Sequence, residues 1–189
     1  MGFTRAELEA FRDRTVPDVV GPGLRLLFVG INPGLWTAAT RTHFAHPGNR
    51  FYPALLRAGI ITRPIDPGAG MTAEDRAHLR ERGIGLTNLV PRATARADEL
   101  SKEELRAGGR ELLAFVHEHR PQVVALAGIT AYRTAFGVPA AKVGEQPGTF
   151  GGARLWVVPN PSGLNAHATV ASLAEAYAEP ARAAGVLRD

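Results

Sequence analysis

Four short apolar runs, each followed further along the chain by a stretch with helical character, constrain the fold of this sequence more than any other feature. The runs cover residues 24–29, 84–90, 123–127 and 154–158, and the first is bounded by Gly and Pro on both sides. Such runs are typical of buried strands, and strands that alternate with helices pair in parallel because their crossover connections are long. The alternation predicts an α/β protein, a three-layer α/β/α sandwich with a central, mainly parallel sheet.

Helix boundaries are marked by capping residues at the start and by glycine or proline at the end. Thr4 with Glu7 and Ser101 with Glu104 form capping boxes. The predicted helices cover residues 4–14, 51–58, 72–83, 101–120, 130–136 and 169–184, with Asn49 as the N-cap of the second and a kink or break at Pro180 in the last.

The composition is that of one globular domain. A chain of 189 residues, 45% hydrophobic and 21% charged, predicts a single domain over residues 1–189, with an N-terminal helix in residues 1–20 and a core in residues 24–187. The sequence has no cysteine, which excludes disulfides, thiolate catalysis and cysteine-ligated metal clusters. The net charge of +4 permits a polyanionic partner without requiring one. No apolar run approaches the ~18 residues that span a bilayer and no signal-like segment is present, so a cytoplasmic protein is predicted.

Two asparagines, each followed by proline, stand directly after predicted strands. Asn32 lies in GINPG after the first strand, and Asn160 lies in NPSGL after the fourth. A following proline holds the preceding residue extended, so each amide is directed, and Pro33 is predicted to start a turn that Gly34 completes with positive φ. Each motif alone can be a turn chosen for its geometry. Together, at the carboxyl edge where parallel sheets bind ligands, they favour recognition of a group with both donors and acceptors, such as a nucleobase edge.

Five segments stand in a fixed order between the first predicted strand and the last helix: GINPG at 30–34, Phe44, HPGN at 46–49, GLTNL at 85–89 and NPSGL at 160–164. Together they resemble the mismatch-specific uracil/thymine-DNA glycosylases, the double-strand branch of the uracil-DNA glycosylase superfamily. The resemblance implies a base excision repair enzyme, with the whole chain as one glycosylase domain. It would hydrolyse the N-glycosidic bond of uracil, and of damaged or mismatched pyrimidines such as ethenocytosine, leaving an abasic site without a metal or cofactor. Whether thymine is a substrate stays open.

The resemblance also implies roles for individual residues near the flipped base. Asn32 is the implied catalytic residue, since its amide can orient a water against C1′ of the sugar but cannot act as a general base. Phe44 would stack on the base; its alternative is core packing, the role predicted for Phe51. Asn160 stands where other uracil glycosylases carry a histidine, which favours the slow, mismatch-type enzyme. The implied base pocket comprises Ile31, Gly34, Phe44 and Asn160.

Leu164 is the implied wedge that enters the duplex and fills the space left by the flipped base. Its alternative is an ordinary packing residue under the last helix. Contacts to the duplex and to the opposite strand are implied for its neighbours, which are Ser162, Gly163, Asn165 and His167.

The implied partner is double-stranded DNA that contains a mismatched or damaged pyrimidine. The protein would act as a monomer, away from membranes, in the cytoplasm at the bacterial nucleoid. Two other classes stay open. A module on the same fold could bind damaged DNA without cleaving it, because fold does not imply function. A hydrolase of free nucleosides would have no use for an exposed wedge.

Overall fold

A five-stranded sheet forms the centre of the computed structural model, which describes residues 2–188. The strands are β1 (Leu26–Gly30), β2 (Ile84–Asn88), β3 (Val123–Ala127), β4 (Gly144–Glu145) and β5 (Arg154–Val158). They are ordered β2-β1-β3-β5-β4, and every pair is parallel except β4 with β5. The mainly parallel sheet and all four of the predicted strands are therefore confirmed.

Seven α-helices within residues 2–188 flank this sheet, and a short 3-10 turn (Ala97–Glu99) lies among them. The helices are α1 (Arg5–Glu9), α2 (Leu35–Thr40), α3 (Phe51–Ala58), α4 (Ala73–Glu81), α5 (Lys102–His119), α6 (Ile129–Phe136) and α7 (Val170–Ala183). The side chains of Thr4, Thr72 and Ser101 each accept a backbone hydrogen bond at a helix start, as predicted, and Thr169 does the same at the start of α7. The α/β fold class is confirmed.

Each face of the sheet is buried in its own hydrophobic core. Along β1, Leu26 and Phe28 belong to the core shared with α3 and α7, whereas Leu27 and Val29 belong to the core shared with α5 and α6. Successive strand side chains point to opposite faces, so a strand buried on both faces is apolar throughout. The loops that follow these strands are therefore attached to a sheet that is packed on both faces.

The first helix is shorter than predicted, because the residues after it pair with a distant loop. α1 ends at Glu9 instead of Arg14. The N–H of Asp13 donates to the carbonyl of Ala93 and the N–H of Ala93 donates to the carbonyl of Arg14, both at 2.9 Å. Asp13 takes a left-handed conformation with φ 65°, which a helix cannot include. Pro180, by contrast, lies inside the continuous helix α7 and does not break it.

Local details around the first Asn-Pro loop also differ from the sequence-based expectations. The short elements α2 and β4 are not predicted. Gly34 does not complete a turn with positive φ: at φ −74° and ψ 167° it is extended and is the N-cap of α2. Asn49 is not the N-cap of α3, a position that Arg50 occupies. The Asn49 side chain instead accepts a hydrogen bond from the N–H of Phe51 at 2.9 Å.

Candidate active site

Three asparagine side chains stand at the carboxyl ends of parallel strands. Asn32 follows β1, Asn88 is the last residue of β2, and Asn160 follows β5. Because these strands run parallel in one sheet, the three residues lie at the same edge. The two Asn-Pro motifs therefore share one edge, as predicted, and a third amide joins them.

The Asn32 amide is held by its nitrogen. Nδ2 donates to the carbonyl of Arg92 at 3.0 Å and to Oγ1 of Thr94 at 2.8 Å. The Thr94 hydroxyl is itself directed, since it donates to the carbonyl of Arg96 at 2.7 Å and can only accept from Asn32. Both amide protons are thus used, and no group in residues 2–188 donates to Oδ1. Asn32 presents an acceptor oxygen, which suits the orientation of a water molecule.

The loop that holds Asn32 is anchored by a group of charged side chains. The Arg92 guanidinium makes a bidentate contact with Glu104 at the start of α5, and it also donates to Asp13 at 3.0 Å. Arg92 and the capping interaction with Ser101 lower the pKa of Glu104 to about 2. The N–H of Thr94 donates to the carbonyl of Pro33 at 3.1 Å. The N-terminal segment and α5 together fix the partners of Asn32.

Gly30 is buried between an aromatic ring and an amide. A Cβ at this position would lie 2.8 Å from Oδ1 of Asn88 and 3.3 Å from Cζ of Phe44, so only glycine allows both to approach. Phe44 has a left-handed backbone with φ 56°, and its ring stacks on Phe51 with centroids 4.0 Å apart. Phe51 is fully buried, as predicted for a core residue, whereas Phe44 is partly exposed. Stacking of Phe44 on a base stays a prediction.

Asn88 is oriented by a buried histidine. The Nε2 atom of His43 lies 2.9 Å from the carbonyl of Pro17, which can only accept, so the proton is on Nε2. Burial lowers the pKa of His43 and keeps the ring neutral, so Nδ1 accepts from Nδ2 of Asn88 at 3.2 Å. Oδ1 of Asn88 is left facing Gly30. One proton of the Asn88 Nδ2 atom is not used by His43. The Asn88 amide can therefore offer an acceptor, Oδ1, and a donor, Nδ2.

Asn160 is held by its oxygen, the reverse of Asn32. Its Oδ1 accepts from the N–H of Ser162 at 2.9 Å, and its carbonyl accepts from Nδ2 of Asn165 at 3.0 Å. The Ser162 hydroxyl in turn accepts from the N–H of Leu164 at 3.2 Å. Among residues 2–188 no group accepts from the Asn160 amide nitrogen, whereas the side chain of Asn165 bonds to the loop itself.

Leu164 is 88% exposed, which rules out packing under the last helix. The preceding position, Gly163, has no room for a larger residue, because a Cβ there would lie 2.8 Å from the carbonyl oxygen of Gly48. His167 is also exposed. An exposed leucine on a loop held by hydrogen bonds is suited to insertion, a role that stays a prediction.

Two residues of the predicted pocket contribute differently from the others. The carbonyl of Ile31 accepts from the N–H of Val90 at 2.9 Å, and its side chain lies against Gly128. Gly34 is exposed, with nothing within 4 Å of where a Cβ would stand. The Ile31 side chain therefore packs against the core that β1 shares with α5 and α6. Gly34 leaves open space around its own position, two residues after Asn32.

Four site residues were missed by sequence reasoning: His43, Asn88, Arg92 and Thr94. Asn88 had a usable signal, since it ends a strand at the same edge as Asn32. His43, Arg92 and Thr94 had none, because their partners are distant in sequence.

Among residues 2–188, no cluster of three or more His, Asp or Glu side chains is arranged to bind a metal. No helix in the same range is long and apolar enough to cross a membrane.

The family model of the uracil DNA glycosylase superfamily matches residues 17–180, and the chain belongs to this superfamily. The match includes all three asparagines of the site. A candidate uracil DNA glycosylase from Methanosarcina acetivorans, solved by solution NMR, has the same fold with a TM-score of 0.58. The two sequences are 17% identical, and the alignment covers 88% of this chain and 97% of the other. Membership of the superfamily supports a DNA glycosylase role, with DNA as the partner.

Proposed function

We propose that this protein is a mismatch-directed, monofunctional uracil-DNA glycosylase that acts as a monomer on double-stranded DNA in the cytoplasm. It would remove uracil, and related damaged pyrimidines such as ethenocytosine, and leave an abasic site. The observation that carries the proposal is the Asn32 amide, whose nitrogen is tied to Arg92 and Thr94 while its oxygen receives no hydrogen bond from residues 2–188. This orientation matches an attacking water, which needs an acceptor for one of its protons.

Base flipping is the first step, because C1′ is not accessible within a stacked duplex. Leu164 would enter the stack, and its exposure of 88% leaves the side chain free to do so. Phe44 would receive the flipped base on its open face. Stacking on an aromatic ring contributes about 1–3 kcal/mol per base with little dependence on sequence.

Asn88 would then select uracil over cytosine. Uracil presents a donor at N3 and an acceptor at O4, which pair with Oδ1 and the remaining Nδ2 proton of Asn88. Cytosine presents the opposite pattern, an acceptor at N3 and a donor at N4. The neutral His43 ring prevents Asn88 from simply turning over, because the turned amide would place Oδ1 against the lone pair of Nδ1. Rejection of cytosine would thus be built into the direction of one amide.

Cleavage breaks the bond between C1′ and N1, and its electron pair stays on the uracil ring. The water held by Asn32 forms the new C–O bond at C1′ and loses a proton to solvent. The Nδ2 protons of Asn160 can stabilise the departing anion. Neither asparagine is a general base, so positioning supplies the catalysis and a slow reaction is expected.

The test is single-turnover base release from labelled duplexes with a central G·U, A·U, G·T or G·ethenocytosine pair, and from single-stranded uracil DNA, read by alkaline strand scission. We expect release from G·U that is lost with Asn32→Ala and unchanged with Gln122→Ala. Gln122 is an exposed amide at the opposite end of β3 and serves as the control. Binding without any alkali-labile site would identify a non-catalytic module instead. Release from free nucleosides that is insensitive to Leu164→Ala would identify a nucleoside hydrolase.

A further inference from the structure

The segment that carries Leu164 lies between β5 and α7 and has no regular secondary structure. We call residues 160–168 the insertion loop. A wedge is effective only if its backbone resists the force of the base stack, because misplacing a group by about 1 Å can cost two orders of magnitude in rate. The question is what holds this loop in shape.

Arg50 bonds to the insertion loop at three points. Its N–H donates to the carbonyl of Pro161 at 2.9 Å. Its guanidinium Nη1 donates to the carbonyl of Asn165 at 3.1 Å and to that of Ala168 at 2.8 Å. The three carbonyls lie before and after Leu164, so a single residue ties both sides of the loop to one anchor.

The anchor itself lies at the start of a packed helix. Arg50 is partly buried as the N-cap of α3, a helix that packs on the core of the sheet. Across residues 2–188 no carboxylate pairs with its guanidinium, and the groups that accept from it are the neutral carbonyls of Asn165 and Ala168. Hydrogen bonds from a charged donor are stronger than neutral ones. Nearby, the carbonyl of Gly48 limits residue 163 to glycine, so the same segment also fixes the loop by contact.

We propose that Arg50 is a positioning residue that sets the insertion loop for entry into the duplex and acts through Leu164. This inference rests on the proposed function. Lysine is a poor substitute, because the guanidinium plane fixes the directions of the two Nη1 N–H groups toward the two carbonyls, whereas an ammonium group on a flexible stem has no such fixed directions. A contact with DNA phosphate, the other use of a charged residue here, would depend on charge and not on this geometry.

The experiment is a double-mutant cycle on base flipping. Binding is measured by the fluorescence of 2-aminopurine placed beside a cleavage-resistant 2′-fluoro-deoxyuridine opposite guanine, and excision is measured on the matching G·U duplex. The variants are Arg50→Ala, Arg50→Lys, Leu164→Ala and the Arg50→Ala/Leu164→Ala double variant. Arg57→Ala is the control, since Arg57 is an exposed arginine on the same helix.

We expect Arg50→Ala to lower flipping and excision by about tenfold, and Arg50→Lys to restore less than half of the loss. In the Leu164→Ala background, Arg50→Ala should lower flipping and excision by less than a further twofold, because a residue that acts through Leu164 has nothing left to position. Additive losses would overturn the proposal. So would full rescue by lysine together with a weaker salt dependence in Arg50→Ala, which would indicate a phosphate contact. Absence of excision by the wild-type protein would contradict the proposed function itself.

Discussion

Thr94→Val tests how Asn32 is positioned, because it removes a hydroxyl and keeps the shape of a fully buried side chain. The hydroxyl accepts from Nδ2 of Asn32 at 2.8 Å and donates to the carbonyl of Arg96 at 2.7 Å. A typical hydrogen bond contributes about 0.5–1.5 kcal/mol net. If the lost bond to Asn32 restrains the amide in the transition state, the single-turnover rate should fall about two- to thirteenfold, at 1.36 kcal/mol per factor of ten.

The assay is single-turnover excision from a G·U duplex at saturating enzyme, with the affinity for the same duplex measured separately. We expect the rate to fall and the affinity to stay unchanged, since Thr94 is buried and does not reach the DNA. The free energy of unfolding should also fall, by about 1–3 kcal/mol, because the Asn32 amide and the Arg96 carbonyl lose a partner. Thr94→Ser is the matched control, since it keeps the hydroxyl. Equal rates for the Val and Ser variants would refute the reasoning.

Three further predictions concern His43, Glu104 and Leu164. His43→Leu removes the acceptor that orients Asn88, so it should lower the rate of uracil release about tenfold when Asn88 is present and hardly at all when Asn88 is already replaced by alanine. Single-turnover rates of the wild type, the two single variants and the double variant test this expectation. Glu104 has a pKa of about 2 in the folded state, below its ordinary 4.5, so it stabilises the fold above about pH 4.5 and this contribution is lost as pH falls toward 2. Thermal melts should therefore show a gap between wild type and Glu104→Gln that is constant near neutral pH and closes below pH 4.5; a gap independent of pH would argue against the pairing with Arg92. Leu164→Ala should slow excision from duplex DNA more than from single-stranded DNA, where no stack needs filling, and equal slowing on both would remove the wedge role.

The sheet and most helices follow from local patterns in the sequence. Residues 123–127 are apolar throughout because both faces of β3 are buried, and capping side chains at Thr4, Thr72 and Ser101 mark real helix starts. α2 escapes such reasoning because its N-cap is Gly34, which has no side chain to signal a start. β4 escapes because two residues at a sheet edge carry no periodicity. The early end of α1 depends on a backbone pairing with Ala93, far along the chain.

The candidate site also has features that local sequence patterns predict and features that depend on residues distant in the sequence. Asn32 and Asn160 could be predicted from strand ends and prolines, and Leu164 from its motif. The direction of each amide could not, because it is set by partners such as Thr94, 62 positions away from Asn32. Even the exclusion of a packing role for Leu164 required the exposure of the side chain, and its insertion into DNA stays a prediction. Sequence patterns locate the chemical groups, and tertiary hydrogen bonds decide which atom of each group faces the substrate.

The proline after Asn32 and after Asn160 has a chemical consequence besides its geometry. Asparagine ages by deamidation, in which the backbone nitrogen of the next residue attacks the side-chain amide and closes a succinimide ring. The nitrogen of Pro33 or Pro161 carries no hydrogen and cannot close that ring. The two amides to which we assign water orientation and leaving-group stabilisation are thereby protected from slow conversion to aspartate. Asn88, followed by leucine, lacks this protection, so an old protein should lose its discrimination of bases before it loses its reaction chemistry.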